Sequence, residues 1–449
     1  MARIKVIGAG LAGVEAANVA ARLGVNVDLY EMKPLSFSPA HHHENFAELV
    51  CSNSLRSNQT SNAVGLLKEE LRLMDSIVME AAYATEVPAG SALAVNREDF
   101  SRYITEKIKS NPLITVHHEE VYEISEDEIT VVATGPLTSE KMANTISAIT
   151  GGDELHFFDA AAPIIDFSTV DLGRAFFASR YGKGDPQDYL NCPMTREEYD
   201  AFYKALISAE AAPLKQFDKE LQEDLTVFEG CMPVEVMASR GYDTLRFGPM
   251  KPVGLPLPET GEDAFATVQL RRENREGTMY NIVGFQTHLT FGEQRRVFRM
   301  IPGLENAEFF RYGVMHRNTY INSPGRLTAT YSMRQRPNLF FAGQMTGVEG
   351  YVESASSGFV AGVNAALLAL GKEQLVFPRE TEIGALAAYV SEGGVSSHFQ
   401  PMNANFGIIA PLDRKVKGGK KFRNEAYAER SLSVIAEFSE ALKRYEDLG

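Results

Sequence analysis

At 449 residues the chain exceeds the roughly 250–300 residues at which a single hydrophobic core stops growing, so two or more domains are expected. Hydrophobic residues at 44% and charged residues at 23% argue against disorder, and a formal charge of −15 excludes recruitment of a polyanion by global charge. Three cysteines without a CxxC pair argue against a disulfide framework or a zinc cluster.

The amino terminus enters a strand at once, leaving no room for a cleavable leader, and no run approaches the ~18 apolar residues of a membrane helix. A soluble cytoplasmic protein is expected. Arg3–Ile7 is a short, mostly apolar run suited to a buried parallel strand. Gly8-Ala9-Gly10-Leu11-Ala12-Gly13 follows, then an alanine-rich helix over 14–23, with Gly24 where a helix ends. Residues 25–30 make a second strand, closed by Glu31. In such a unit Gly8 permits the tight turn, Gly10 lets the backbone approach a pyrophosphate, and Gly13 lets helix and strand pack closely. The helix N-terminus offers N–H groups and a positive dipole end to the phosphates. Glu31, eighteen residues after Gly13, is placed to accept from a ribose hydroxyl. An adenine dinucleotide is the expected ligand.

Two later segments favour FAD over NAD. Residues 128–136 read as a strand ending in the Ala133-Thr134-Gly135 turn. Residues 338–344 read as another, ending at Gly343-Gln344 and leading through Gly347 and Gly350 into a small-residue helix start at 354–362. A late return to the first domain suits a two-part flavoprotein, and no second GxGxxG offers a nicotinamide its own fold. The turn formers at 182–186 suggest a boundary. Thr195 and Glu198 form a capping-box pattern opening a helix to about Ser208, and short strands follow to about 325. The C-terminal 425–449 reads as a helix with Ile435, Phe438 and Leu442 on one face. The expected architecture is α/β: a Rossmann-like FAD-binding domain (1–185 and 326–449) interrupted by an inserted α+β domain (186–325).

Cys51, among small polar residues with Arg56 five positions on, is a candidate for thiolate chemistry. Cys231, between Gly230 and Met232-Pro233, reads as turn-borne and accessible, whereas Cys192 reads as a small buried hydrophobe. His41-His42-His43 cannot all face one ion, and a polar loop near the cofactor is expected there, with no metal site. Residues 411–423 carry six basic side chains, and Arg271, Arg272, Arg275, Arg295, Arg296, Arg299, Arg311 and Arg317 enrich the inserted region. On charge alone these read as solvated faces paired with Glu273, Glu276 and Glu293.

Six segments together resemble the bacterial folate/FAD-dependent tRNA (uracil-5-)-methyltransferases, the TrmFO family. They are 46–57 (FAELVCSNSLRS), 135–139 (GPLTS), 230–235 (GCMPVE), 240–255 (RGYDTLRFGPMKPVGL), 338–353 (NLFFAGQMTGVEGYVE) and 401–412 (PMNANFGIIAPL). The resemblance implies methylation of C5 of the T-loop uridine of tRNA. Carbon would come from 5,10-methylenetetrahydrofolate, with reduced FAD as methylene carrier and reductant, regenerated by NAD(P)H. It further implies Cys231 as the nucleophile at uracil C6 and Cys51 beside the flavin, with their order open, and it recasts the basic stretches as phosphate contacts. No protein partner is implied. The competing readings are a flavoprotein wobble-uridine modifier, disfavoured by the short C-terminal part, and an NAD(P)H-dependent flavin oxidoreductase of a small molecule.

Overall fold

A computed structural model describes residues 2–152, 154–160, 162–212, 232–274, 276–313, 315–392, 399–413 and 416–446. Its first sheet is built outward from Arg3–Ile7, whose apolar residues Ile4, Val6 and Ile7 are buried. Asn26–Glu31 and Thr130–Val132 flank this strand in parallel. Ile114–His118 lies beyond the first and Arg336–Phe341 beyond the second, with Ser332–Met333 antiparallel at the edge. The chain therefore turns to opposite sides after its central strand, which opens a crevice at the strands' carboxyl ends.

Two helices cover one face of this sheet, Leu11–Arg22 and Tyr351–Ala369. They touch backbone to backbone. A Cβ on Gly358 would stand 2.1 Å from the Ala12 carbonyl oxygen, and one on Gly362 would stand 2.5 Å from Ala16 Cα. The later helix is long and apolar enough to cross a membrane, contrary to the composition-based expectation, but 83% of its apolar window is buried in the protein. Its apolarity serves a core helix packed on all sides.

Between the second strand and Ile114–His118 the chain builds a small layer. A three-stranded sheet (Ser54–Ser57, Glu86–Val87, Ala92–Val95) packs with helices Ala63–Leu73, Ile77–Ala84 and Arg97–Ser110. Lys68 is buried there, donating to the carbonyls of Leu55 (2.7 Å), Arg56 (3.2 Å) and Ser57 (2.6 Å). The C-terminal helix, Lys420–Glu446, lies against Ala63–Leu73 with Ile435 and Leu442 buried, on the face its periodicity predicts.

The second sheet is antiparallel, in the order Phe176–Phe177, Tyr189–Met194, Ala266–Arg272, Met279–Ile282, Ile164–Asp166, Phe309–Arg311. The expected boundary at 182–186 thus falls inside this sheet, because Ile164–Asp166 already pairs with Met279–Ile282. Those turn formers reverse the chain between two neighbouring strands, which demands the same residues as a linker. An antiparallel pair, Glu154–Ala160 with Met315–Ile321, carries the chain out to this domain and back. Cys192 lies fully buried on the second sheet, and burial raises its thiol to about 12, matching the hydrophobe reading. Thr195 and Glu198 form the capping box at the head of Arg196–Ile207.

Glu15 is fully buried on the first helix. Its Oε1 accepts from the Ser76 hydroxyl and, at 2.9 Å, from the Val78 N–H, while Oε2 has no hydrogen-bond partner. Burial raises its pKa from 4.5 to about 7, against the pull of those two bonds. The folded chain therefore holds this proton more tightly than the unfolded one, and the group's contribution to stability falls as pH rises from 4.5 to about 7. Glu15→Gln keeps the accepting oxygen and removes the charge. Its stability relative to wild type should rise across that window in denaturant titrations, and parallel pH profiles of the two proteins would reject the assignment. Gly358→Ala should cost about 3 kcal/mol in the same assay, since backbone blocks the added methyl.

Candidate functional site

All of the expected cofactor residues except Gly13 line one cavity at the carboxyl ends of the first sheet. With the open solvent at its mouth it encloses about 1140 Å³, and Gly8, Ala9, Gly10, Leu11, Ala12, Glu31, Gly135, Gly343 and Gln344 all contribute to its wall. Gly13 lies beneath: a Cβ there would stand 1.8 Å from the Gly8 carbonyl oxygen, so only glycine lets the turn close on its own helix. Gly8 itself has φ +99°, and a Cβ on it would meet the Ala133 carbonyl at 2.5 Å. At Gly10, by contrast, an added Cβ meets nothing within 4 Å. The missing side chain leaves a cradle open to the cavity, as a pyrophosphate requires.

The helix Leu11–Arg22 begins on this wall without a side-chain cap, so its first-turn N–H groups and positive dipole end face the cavity. Tyr351–Ala369 also begins there uncapped, with Tyr351 and Ser354 in the lining. Glu31 is nearly buried; its Oε2 accepts from the Ala9 N–H at 2.9 Å and its Oε1 from the Lys33 N–H at 3.0 Å. These bonds fix the carboxylate against the glycine turn and leave a second lone pair on each oxygen for a ribose hydroxyl. Lys33 is buried beside it, 3.8 Å from Glu48, and burial lowers its pKa against the pull of both carboxylates. His41 lines the cavity, while Glu48 accepts from the backbone N–H groups of His42 and His43. The three histidines thus form a polar loop, and no group of residues suited to a metal ion occurs among the described residues.

Cys51 is half-buried beside Val50, which lines the cavity. The Cys51 and Ser52 N–H groups donate to the Tyr351 hydroxyl at 2.7 and 3.2 Å. Three guanidinium groups hold the same short segment. Arg97 donates to the carbonyls of Leu49 (2.7 Å) and Cys51 (3.4 Å), and is itself paired with buried Glu273 at 2.7 Å. Arg311 donates to the Val50 carbonyl at 2.7 Å. Arg271 donates to the Ser52 hydroxyl at 2.8 Å and to Asn53 Oδ1 at 3.1 Å. Arg56, the cation expected near this thiol, turns away to pair with buried Glu353. Cys231 lies outside the described residues.

A family model described as GIDA, Glucose inhibited division protein A, matches residues 3–373. The methylenetetrahydrofolate–tRNA-(uracil-5-)-methyltransferase TrmFO of Acetivibrio thermocellus is 60% identical over 97% of this chain and 98% of its own length. Those of Natranaerobius thermophilus and Enterococcus faecalis are 60% and 58% identical over 98% of this chain and 99% of theirs. The chain belongs to this TrmFO family. Among solved structures, GidA of Aquifex aeolicus superposes with a TM-score of 0.70 at 18% identity, covering 98% of this chain and 76% of that one, which is a likeness of fold.

The site also uses residues to which sequence reasoning gave no such role: Lys33 and Arg97, Glu273, read there as a surface partner of the inserted region's arginines, and Tyr351, within the 338–353 segment. Tyr351 carried a signal, since it opens the helix after Gly350. Arg97 and Glu273 carried none, because their partnership spans 176 positions. Several arginines of the inserted region serve internal contacts rather than a common basic face. Arg271 is buried, Arg296 pairs with Glu293 at 2.6 Å, and Arg299 pairs with Glu308 at 2.8 Å. Arg275 and the side chain of Arg317 lie outside the described residues.

The open space at Gly10 makes a direct test. Gly10→Ala should leave the stability of the cofactor-free chain unchanged and weaken FAD binding about tenfold or more, by crowding the phosphates. Fluorescence titration with FAD reads the second effect and thermal unfolding the first. Undiminished affinity would place the pyrophosphate elsewhere.

Proposed function

We propose that this TrmFO-family protein methylates C5 of the T-loop uridine of tRNA with carbon from 5,10-methylenetetrahydrofolate, using FAD that NAD(P)H keeps reduced. One observation supports this reading most: a dinucleotide cradle and the Cys51 segment, from distant parts of the chain, meet on one cavity. The cavity fits FAD on its own geometry, with Gly10 open to the phosphates, an uncapped helix end beneath them and Glu31 at the ribose end. When bound, reduced FAD would supply the methylene transfer and the electron pair that turns methylene into methyl.

The chain's own residues have separate tasks. Uracil C5 is a weak nucleophile until a thiolate adds to C6. We assign that addition to Cys231: the S–C6 bond forms, charge moves to the O4 enolate, and C5 becomes able to attack an electrophilic one-carbon unit. Loss of the C5 proton would release the one-carbon unit from its carrier as an exocyclic methylene, and the electron pair arriving at that carbon would make the methyl group, re-form the C5–C6 double bond and expel the Cys231 thiolate. We assign Cys51 to the handling of the one-carbon unit; its segment, which adjoins the cavity at Val50, is held by Arg97, Arg271, Arg311 and Tyr351. The target base must leave its stack to reach this cavity. Lys417, Lys420 and Lys421 are exposed and suit tRNA phosphates.

Incubation with undermodified tRNA and methylenetetrahydrofolate should yield 5-methyluridine by nucleoside mass spectrometry. Flavin turnover without a tRNA product would favour the small-molecule oxidoreductase. Cys231→Ala should abolish methylation while NADPH still bleaches the bound flavin; normal turnover in that variant would remove Cys231 as the nucleophile. Neutralising Lys415, Lys417, Lys420 and Lys421 together should weaken tRNA binding and flatten its salt dependence, and an unchanged salt series would clear this loop of phosphate contact.

A further inference from the structure

The second domain ends in a surface feature that the proposed chemistry leaves unused. Tyr312, just past the edge strand Phe309–Arg311, is sandwiched between two rings. Its centroid lies 4.8 Å from Phe291 with planes 14° apart, and 5.1 Å from Phe309 with planes 16° apart. The three rings form a continuous stack. The Phe309 end is half-buried against the domain core, whereas the Phe291 end is 55% exposed.

Burial explains one end of this ladder and not the other, since an exposed phenylalanine gains little from the folded state. Its chemistry fits a flat, electron-rich partner. Arg295 donates to the Tyr312 hydroxyl at 3.1 Å with its guanidinium exposed, and among the described residues it has no carboxylate partner. Two of the acids nearby are already paired, Glu293 with Arg296 and Glu308 with Arg299. An open ring face beside an uncommitted cation recognises a nucleobase and its phosphate, because every base offers a π-face and every nucleotide a charge. The position is also right. Arg311, adjoining Tyr312, reaches the carbonyl of Val50, a residue of the cavity wall, so the ladder's root is one residue from a side chain that touches the candidate site.

We propose that the Phe309–Tyr312–Phe291 ladder is a stacking platform for an unpaired base of the RNA substrate, with Arg295 on the adjoining phosphate. This rests on the reading of the protein as a tRNA uracil methyltransferase. The platform would hold a base flanking the one drawn into the cavity, keeping the loop open while the target is turned out.

The chain contains no tryptophan, so Phe291→Trp installs a single indole reporter at the exposed end of the ladder. That variant should bind undermodified tRNA as wild type does, with its emission quenched on saturation. Phe291→Ala should weaken tRNA binding about tenfold and raise KM for tRNA with little change in kcat. Arg295→Ala should lower the salt slope of binding by about one. FAD binding should be unaltered in all three. Unquenched indole emission at saturation, or wild-type affinity in Phe291→Ala, overturns the platform. If Phe291→Ala loses thermal stability, the quenching of Phe291→Trp decides alone. Wild-type protein that neither binds nor methylates tRNA overturns the underlying reading, which separates that failure from failure of the platform.

Discussion

The structure depends on one close approach, between the helix that begins at Leu11 and the helix that begins at Tyr351. Gly358 and Gly362 lie against the backbone of Ala12 and Ala16 with no room for a methyl group. That contact brings a segment more than three hundred residues downstream onto the amino-terminal nucleotide unit. Both uncapped helix starts consequently open on the same cavity, and their positive dipole ends add there. Separated by even one methyl group, the helices would part, and the wall formed by Gly343, Gln344 and Tyr351 would move with the later one.

Close packing also sets the handling of charge in this core. Packing the first helix on both sides leaves Glu15 without water, so it holds a proton well above the ordinary carboxylate range. Glu70, buried under the C-terminal helix, is raised to about 7 for the same reason, although it accepts from the Glu382 and Ile383 N–H groups and from Ser431. Lys68 is lowered to about 7 by its burial. None of the three lines the cavity, and their shifts reflect burial, not chemistry on the substrate.

The second domain does more than shape a substrate cleft. Its Arg271 and Arg311, with its Glu273 acting through Arg97, hold the five-residue stretch that carries Cys51, while Tyr351 holds it from the other side. Any shift between the domains therefore reaches this cysteine's neighbours, through Arg311 on the Val50 carbonyl and Arg271 on the Ser52 and Asn53 side chains. The arginines that looked like a candidate basic surface are in part the fasteners of this joint. Among the described residues, what remains outward-facing is narrower: Arg295 beside the aromatic ladder, and Lys417, Lys420, Lys421 and Arg423.

The amino-acid sequence by itself determined the features whose causes are local. Gly8 through Glu31 read as a nucleotide-binding unit because turn, helix and terminal acid lie within one short stretch, where spacing alone sets geometry. The capping box at Thr195 and the apolar face of Ile435 and Leu442 were legible on the same ground. The family segments pointed to Cys51 and Cys231, although position 231 lies outside the described residues. Only tertiary structure decided which cations surround Cys51. Arg56, near in sequence, points to Glu353, whereas Arg97, Arg271 and Arg311 arrive from up to 261 positions away. Tertiary pairing likewise decided where the second domain begins, since Gly182 to Pro186 would serve a hairpin as well as a linker. Local spacing carries no information about which distant strand will pair, and both the domain border and the setting of the thiol are made by such pairings.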